Sequence, residues 1–362
     1  MDDHDRLLSG GDTPYVAVDV DVLERNLTAM ATSAAERGLA LRPHAKTHKT
    51  LQIARRQIAA GAVGLTVATV AEAEVFAEAG FTDLFIAYPL WVSGRRAARV
   101  RALAERVALR VGVDSVPGAQ QLADALRGTD LQVLVEVDSG HHRTGVPGEQ
   151  AGEVAGAAAR AGLVVAGVFT FPGHGYGPGR RAEAARDEAR ALAEAAASLR
   201  AAGVHPRVCS GGSTPTVGLS LPGQMTEVRP GVYVFNDAQQ VELGAASWSD
   251  VALTIVATVV SARGQQVVLD AGSKALGADQ PAWATGGGRL PDCPGARITA
   301  LSEHHATVAL DEQDQDPPVL GQAVRVVPNH VCAAVNLADE VVAVRNGHVV
   351  DRWAVAARGR NQ

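Results

Sequence analysis

Through the first two-thirds of the chain, short apolar runs alternate with longer alanine-rich stretches. The runs are VAVDV from Val16, LRPHAKT from Leu41, GLTVAT from Gly64, DLFIAY from Asp83, ALRVGVD from Ala108, LQVLVEVDS from Leu131, LVVAGVFTF from Leu163 and RVCSGG from Arg207. Between them lie segments such as DVLERNLTAMATSAAERG and AEAEVFAEAG, which close on a glycine as helices commonly do. Eight strand signals alternating with helix signals predict parallel βαβ units. Eight is the number that closes a (β/α)8 barrel; a doubly wound open sheet is the alternative. After Asn236 the pattern changes to strand periodicity, in ALTIVATVVSARGQQVVLDAG, RITALSEHHATVAL, AVRVVPNHVCAAVNL and EVVAVRNGHVVDRWAVAARG. Asn346-Gly347 predicts a tight hairpin there. This part reads as a separate β domain of roughly 110–120 residues. Two of its stretches, GGGRLPDCPG and DEQDQDPP, are Gly/Pro-rich or polar and are expected to be exposed loops.

Composition narrows the class. A chain of 362 residues, 47% hydrophobic and 20% charged, can bury a large core and divide into two domains. A net charge of −6 supplies no basic field for nucleic acid. No apolar run reaches the about 18 residues that a membrane span needs. The polar start MDDHDRLLSGGD lacks the basic and apolar regions of a secretory signal. Cys209, Cys293 and Cys332 are odd in number and far apart, which speaks for a reducing compartment. A soluble cytoplasmic enzyme is expected.

In a barrel, chemistry sits where strands end. The second run ends in PHAKTHK, and Lys46 there suits Schiff-base chemistry, a solvated cluster being the alternative. The sixth ends in DSGHHRTG, where Arg143 suits an anionic partner or is a surface arginine. The eighth ends in SGGSTPT, whose glycines let backbone N–H groups approach a phosphate, with Thr214 a candidate N-cap before Pro215. A second glycine turn, EVRPGVY, follows. In the β domain, His330 and Cys332 are two apart and would share a strand face, as a metal pair or as packing.

Together these segments resemble fold-type III pyridoxal-phosphate enzymes, and more narrowly the D-serine dehydratase and D-threonine aldolase family, from Thr13-Pro14 to Gly359. The resemblance implies a pyridoxal 5'-phosphate-binding (β/α)8 TIM-type barrel over residues 13–236, with an alanine racemase-like core. A C-terminal β domain over 237–362 follows, with residues 1–12 a candidate addition to it. In PHAKTHK the family lysine that carries the cofactor maps to Lys46, and in DSGHHRTG the arginine beside the cofactor maps to Arg143. GSTPT and RPGVY match the phosphate site, implying Gly212, Ser213, Thr214, Gly231 and Val232. PGHGY implies a cofactor contact from Tyr176, while an earlier loop tyrosine is Phe169 here. Arg229 falls where alanine racemases place an arginine against the pyridine nitrogen; a surface salt bridge is the alternative. LDAGSKALGAD and PNHVCAAVNLADE match the family's C-terminal domain.

The implied activity is a lyase on a β-hydroxy D-amino acid, with the divalent metal on His330 and Cys332. Thiolate plus imidazole favours zinc, with manganese the alternative. In the family, H-x-C marks dehydratases and H-x-D aldolases, so D-serine dehydratase-like loss of water leads and cleavage to glycine plus aldehyde is the alternative. The racemase tyrosine motif is missing from DAGSKALGAD, and non-catalytic cofactor-binding relatives lack a β domain, so neither reading is preferred. The resemblance also implies a homodimer.

Overall fold

A computed structural model describes residues 10–220, 223–311 and 316–362. The first nine residues, and residues 312–315 of the DEQDQDPP stretch, lie outside the described ones. The chain divides into two compact units, one holding residues 30–46, 54–231 and 360–362, the other residues up to 29, 47–53 and 232–359.

In chain order the first nine strands are β1 (Tyr15–Asp19), β2 (Ala40–Leu41), β3 (Leu65–Val67), β4 (Asp83–Pro89), β5 (Ala108–Val113), β6 (Gln132–Glu136), β7 (Val164–Phe169), β8 (Val208–Gly211) and β9 (Glu227–Val228). The eight from β2 to β9 form a parallel sheet in the order β2-β9-β8-β7-β6-β5-β4-β3. Its two ends meet through a parallel bridge between His44 and Thr66. There Thr66 N–H donates to Pro43 O at 2.9 Å and Ala45 N–H to Thr66 O at 2.8 Å. The result is the expected (β/α)8 barrel. Helices follow their strands with ordinary local signals. Thr69 caps the helix Val70–Glu78 by accepting from Glu72 N–H, and Glu72 reaches back to Ala68 N–H.

The barrel has two very short strands, and buried ion pairs tie them in. Arg42, 1% exposed, donates from Nε to Glu227 of β9 at 2.8 Å and from Nη1 to Asp83 of β4 at 2.7 Å. Arg110 of β5 lies 3.5 Å from Glu227, and the Ser210 hydroxyl donates to the other Glu227 oxygen at 2.7 Å. Above this network Phe85, Leu134, Ala166 and Phe169 pack as an apolar layer.

The remaining strands are β10 (Leu253–Arg263), β11 (Gln266–Leu269), β12 (Arg297–Leu301), β13 (Ala306–Ala309), β14 (Ala323–Val326), β15 (Glu340–Arg345) and β16 (His348–Ala354). They form a mostly antiparallel sheet in the order β12-β13-β11-β10-β1-β15-β16, with β14 also on β10. The hairpin β15–β16 turns at Asn346 and Gly347, both at positive φ, as expected.

Three expectations are corrected. The run from Val16 is not a barrel strand: Ala17 pairs with Thr254 of β10 and with Val342 of β15. A fully buried apolar run reads alike in either sheet. The eighth barrel strand is Glu227–Val228, inside the segment expected as a turn and too short to show a period. The GGGRLPDCPG stretch is not an exposed loop, since Arg289, Leu290 and Cys293 are buried. Arg289 exchanges backbone hydrogen bonds with Val327 and pairs its side chain with Glu242. All three cysteines are free, and no helix among the described residues is long and apolar enough to cross a membrane.

Removing Arg42 strands two carboxylates at the barrel base. Arg42→Met is expected to destabilise the protein by about 3–5 kcal/mol in chemical denaturation, the cost of breaking a buried ion pair from one side.

Candidate active site

The rim formed by the C-terminal ends of β2, β9, β8, β7 and β6, five consecutive strands of the ring, carries most of the residues singled out from sequence. Lys46 lies in a turn five residues past the end of β2 and is half-buried. Arg229-Pro230-Gly231 follow β9, and Pro230 O accepts from His44 N–H at 3.0 Å, tying this turn to the lysine segment. Gly212-Ser213-Thr214 follow β8, Tyr176 closes a turn after β7, and Arg143 follows β6.

One ring organises this arc. The Lys46 ammonium stands 5.9 Å from the centroid of Phe171, and the Arg143 guanidinium 5.3 Å from the same centroid. Both distances lie within the reach of a cation–π contact. Tyr176 leans on Phe171 at 6.1 Å. Phe169 lies deeper, at the end of β7, edge-on to Phe85 at 5.1 Å. Phe171, not Phe169, is thus the ring that faces Lys46. Arg143 reaches its place through the loop's own geometry. The Asp138 carboxylate accepts from Gly140 N–H at 2.8 Å and His142 N–H at 3.0 Å, folding the loop before the arginine. A side chain on Gly145 would strike Asp138 N at 2.7 Å, which accounts for the glycine after the arginine.

Arg229 is no surface residue. It is buried between Phe85 and Phe169, 5.5 and 5.3 Å from their centroids, donates to the Ser210 hydroxyl at 2.9 Å and to Thr170 O. Burial lowers its pKa from the usual arginine value. Glu136 at the end of β6 is likewise buried, and its Oε2 has no partner among the described residues. Burial raises its pKa.

The loop after β8 differs in detail from expectation. Ser213, not Thr214, caps the short helix Thr214–Val217, in a capping box with Thr216. Gly212 turns its N–H inward, 2.6 Å from Glu188 Oε1. Glycine is required at 212 by the backbone and by close packing: its φ is +79° and a Cβ would lie 3.3 Å from Val228. Glu188 escaped the sequence reading, although helical periodicity puts it on the alanine stripe with Ala184, Ala185, Ala191 and Ala195.

The second candidate pair lies in the other unit, where Val232 opens the buried turn Val232–Val234. His330 and Cys332 do not share a strand. His330 precedes the helix Val331–Leu337 as its N-cap, and Cys332 stands in the first turn. Their side chains nevertheless meet. Burial pushes the His330 pKa down, but Cys332 and Asp279 outweigh it and raise it overall. The Cys332 thiol also donates to Thr47 Oγ1 at 3.3 Å. Asp279 Oδ2 lies 2.8 Å from His330 Nδ1, so Nε2 is the ring nitrogen left for a metal. The buried Asp237 accepts from Val331 N–H at 3.1 Å and Gln240 N–H at 3.0 Å, joining two helix starts. Sequence reasoning missed Asp279, which ends the LGAD segment. No group of three or more His, Cys, Asp or Glu that could hold a metal occurs among the described residues, so the pair would leave most coordination positions open.

Residues 18–239 match the alanine racemase N-terminal domain family, and residues 252–344 match a putative serine dehydratase domain. The chain belongs to the alanine racemase N-terminal domain family, the fold-type III pyridoxal-phosphate barrels. It is 35% identical to the D-threonine aldolase of an Arthrobacter species, covering 96% of this chain and 93% of that protein. It is 34% identical to the D-threo-3-hydroxyaspartate dehydratase of Delftia sp. strain HT23, covering 89% and 91%. A cysteine-to-alanine mutant of D-threo-3-hydroxyaspartate dehydratase, solved in the metal-free form, superposes with a TM-score of 0.88 at 32% identity, over 96% of this chain and 98% of that one.

The rim fits pyridoxal phosphate on its own features: a lysine amine and an arginine across one ring, a side-chain-free loop at Gly212, and a buried cation at Arg229. Gly212→Val is expected to weaken cofactor affinity by about tenfold or more, because a side chain at positive φ and against Val228 displaces the loop after β8 that would receive the phosphate. Absorbance titration with pyridoxal phosphate measures it; unchanged affinity would move the phosphate site elsewhere.

Proposed function

We propose that the chain is a pyridoxal phosphate- and divalent metal-dependent lyase that dehydrates a β-hydroxy D-amino acid of the D-serine type to a 2-oxo acid and ammonia. The match to a serine dehydratase domain and both full-length relatives support a lyase on such amino acids. The observation that carries dehydration is the contact between His330 and Cys332, an imidazole and a thiol brought together as a soft donor pair. The relative solved without metal is a dehydratase, and the residue changed in it is a cysteine. Zinc is the ion this donor set favours.

When bound, pyridoxal phosphate supplies the electron sink for charge left at Cα, and a divalent ion polarises the β-oxygen. Lys46 Nζ would hold the cofactor by its aldehyde, and its amine is the base that would take the proton from Cα. Arg143 presents a fixed planar cation to an anionic group. Arg229 keeps its proton, so a pyridine nitrogen facing it would stay unprotonated. Gly212, Ser213, Thr214, Gly231 and Val232 would receive the phosphate, with Tyr176 beside the ring. Asp279 holds the His330 ring by Nδ1. Loss of the α-proton and β-hydroxyl as water, then hydrolysis of the enamine, gives the 2-oxo acid and ammonia. Aldol cleavage is the second reading, favoured by the identity to D-threonine aldolase.

Lys49 is the nearest rival to Lys46, but it is buried and donates to Asn336 Oδ1 at 2.7 Å. Borohydride trapping and peptide mapping are expected to place the pyridoxyl group on Lys46; recovery on Lys49 would overturn the assignment.

Products from D-serine, D-threonine and D-threo-3-hydroxyaspartate, with and without chelator, test the reaction. The expected outcome is 2-oxo acid and ammonia, lost on chelation while the cofactor absorbance persists. Asp279→Asn is expected to weaken metal affinity by about 10–100-fold in chelator competition. Glycine plus aldehyde as the main products would replace dehydration with aldol cleavage, and full turnover in metal-free protein would remove the metal from the mechanism.

A further inference from the structure

The inner face of the helix Arg181–Ala201 is lined by alanine and leucine, with one ionisable side chain, Glu188, among its buried residues. Glu188 is 0% exposed. Its Oε1 accepts from Gly212 N–H at 2.6 Å, and its Oε2 has no partner among the described residues. The fit is close enough to dictate the next residue as well: a Cβ on Gly211 would lie 2.5 Å from Oε1. The two glycines of SGGSTPT are therefore shaped around this carboxyl. No step of the proposed reaction uses it.

A buried carboxyl without an ion-pair partner is costly as an anion. The charged groups acting on Glu188 are Arg229 and Arg37, both attractive, but neither bonds to it among the described residues. The loop that Glu188 holds is the one assigned to a phosphate, and a dianion there opposes a second negative charge close behind it.

We infer that Glu188 is a positioning residue for the cofactor's phosphate: through Gly212 N–H it fixes the loop from Gly211 to Thr214, and it does so as the uncharged acid once the phosphate is bound. This rests on the phosphate-loop reading above. In the acid, the carbonyl oxygen accepts from Gly212 and the proton sits on Oε2. Burial raises the Glu188 pKa and outweighs the Gly212 bond and the arginines, leaving it at about 7. A phosphate raises it further, so cofactor binding takes up a proton near neutral pH.

The test uses pyridoxamine 5'-phosphate, which carries the same phosphate but has no aldehyde to react with lysine, titrated into the cofactor-free full chain. Calorimetry in two buffers of different ionisation enthalpy at pH 7.5 reads proton uptake. The wild type is expected to take up more protons than Glu188→Gln, which keeps the acceptor but cannot titrate. The wild-type affinity is expected to fall relative to Glu188→Gln as pH rises through 7, by up to about tenfold for each unit by which the ligand shifts the Glu188 pKa. Glu188→Met keeps the length but loses the acceptor, and is expected to bind about tenfold more weakly, the scale of one lost hydrogen bond. Thermal unfolding followed alongside shows whether that variant is folded; if it is not, proton uptake by Glu188→Gln decides. Equal proton uptake in wild type and Glu188→Gln, or undiminished affinity in folded Glu188→Met, overturns the inference. If Gly212→Val is silent as well, the phosphate-loop reading is what fails; if Gly212→Val weakens binding and Glu188→Met does not, the role of Glu188 alone falls.

Discussion

The barrel depends on one buried cation. Two of its eight strands, β2 and β9, are two residues long, and the junction of β2 with β3 rests on a single bridge with its few hydrogen bonds. So little ladder holds a ring weakly. Arg42, directly after β2, reaches β9 through Glu227 and β4 through Asp83, spanning the junction on both sides. The network continues upward through Ser210 to Arg229, so the polar groups of the barrel axis form one chain from base to rim. Such a network stays favourable only while each charge has its partner.

What rises from this base is an arc rather than a ring of chemistry. The candidate barrel residues leave five adjacent strands, and the helical and loop segments beyond them are bent by local bonds that serve the arc. Asp138 folds the arginine loop, Ser213 and Thr216 close the short helix, and Pro230 is tied to His44. Phe171 is the shared surface: an amine and a guanidinium both approach its one ring.

Much of this was legible in the sequence because periodicity and glycine placement report local structure directly. The alternation of apolar runs and alanine-rich helices announced the barrel, and Asn346-Gly347 announced its hairpin. The misplacement of the Val16 run has a physical cause: Val16, Ala17 and Val18 are buried on both faces, and such a strand carries no mark of which sheet it joins. Glu227–Val228 was hidden because two residues have no period. His330 and Cys332 were paired for the wrong reason, since a strand would have aligned them by alternation, whereas a helix start brings them together by a turn. Glu188 and Asp279 were missed because each acts through a partner far along the chain, Gly212 and His330. Only the helical stripe hinted at Glu188.

The central place of β1 in the antiparallel sheet bears on how the chain is made. Both neighbours of Tyr15–Asp19, at Leu253–Arg263 and Glu340–Arg345, are synthesised long after it. At about 5–20 residues per second, the strand waits tens of seconds before its first partner leaves the ribosome. During that interval its buried valines have no sheet to enter, while all eight barrel strands emerge before β10. Every strand of the barrel is therefore available to pair before β1 has a partner, so synthesis from the N-terminus favours a barrel that closes ahead of the sheet.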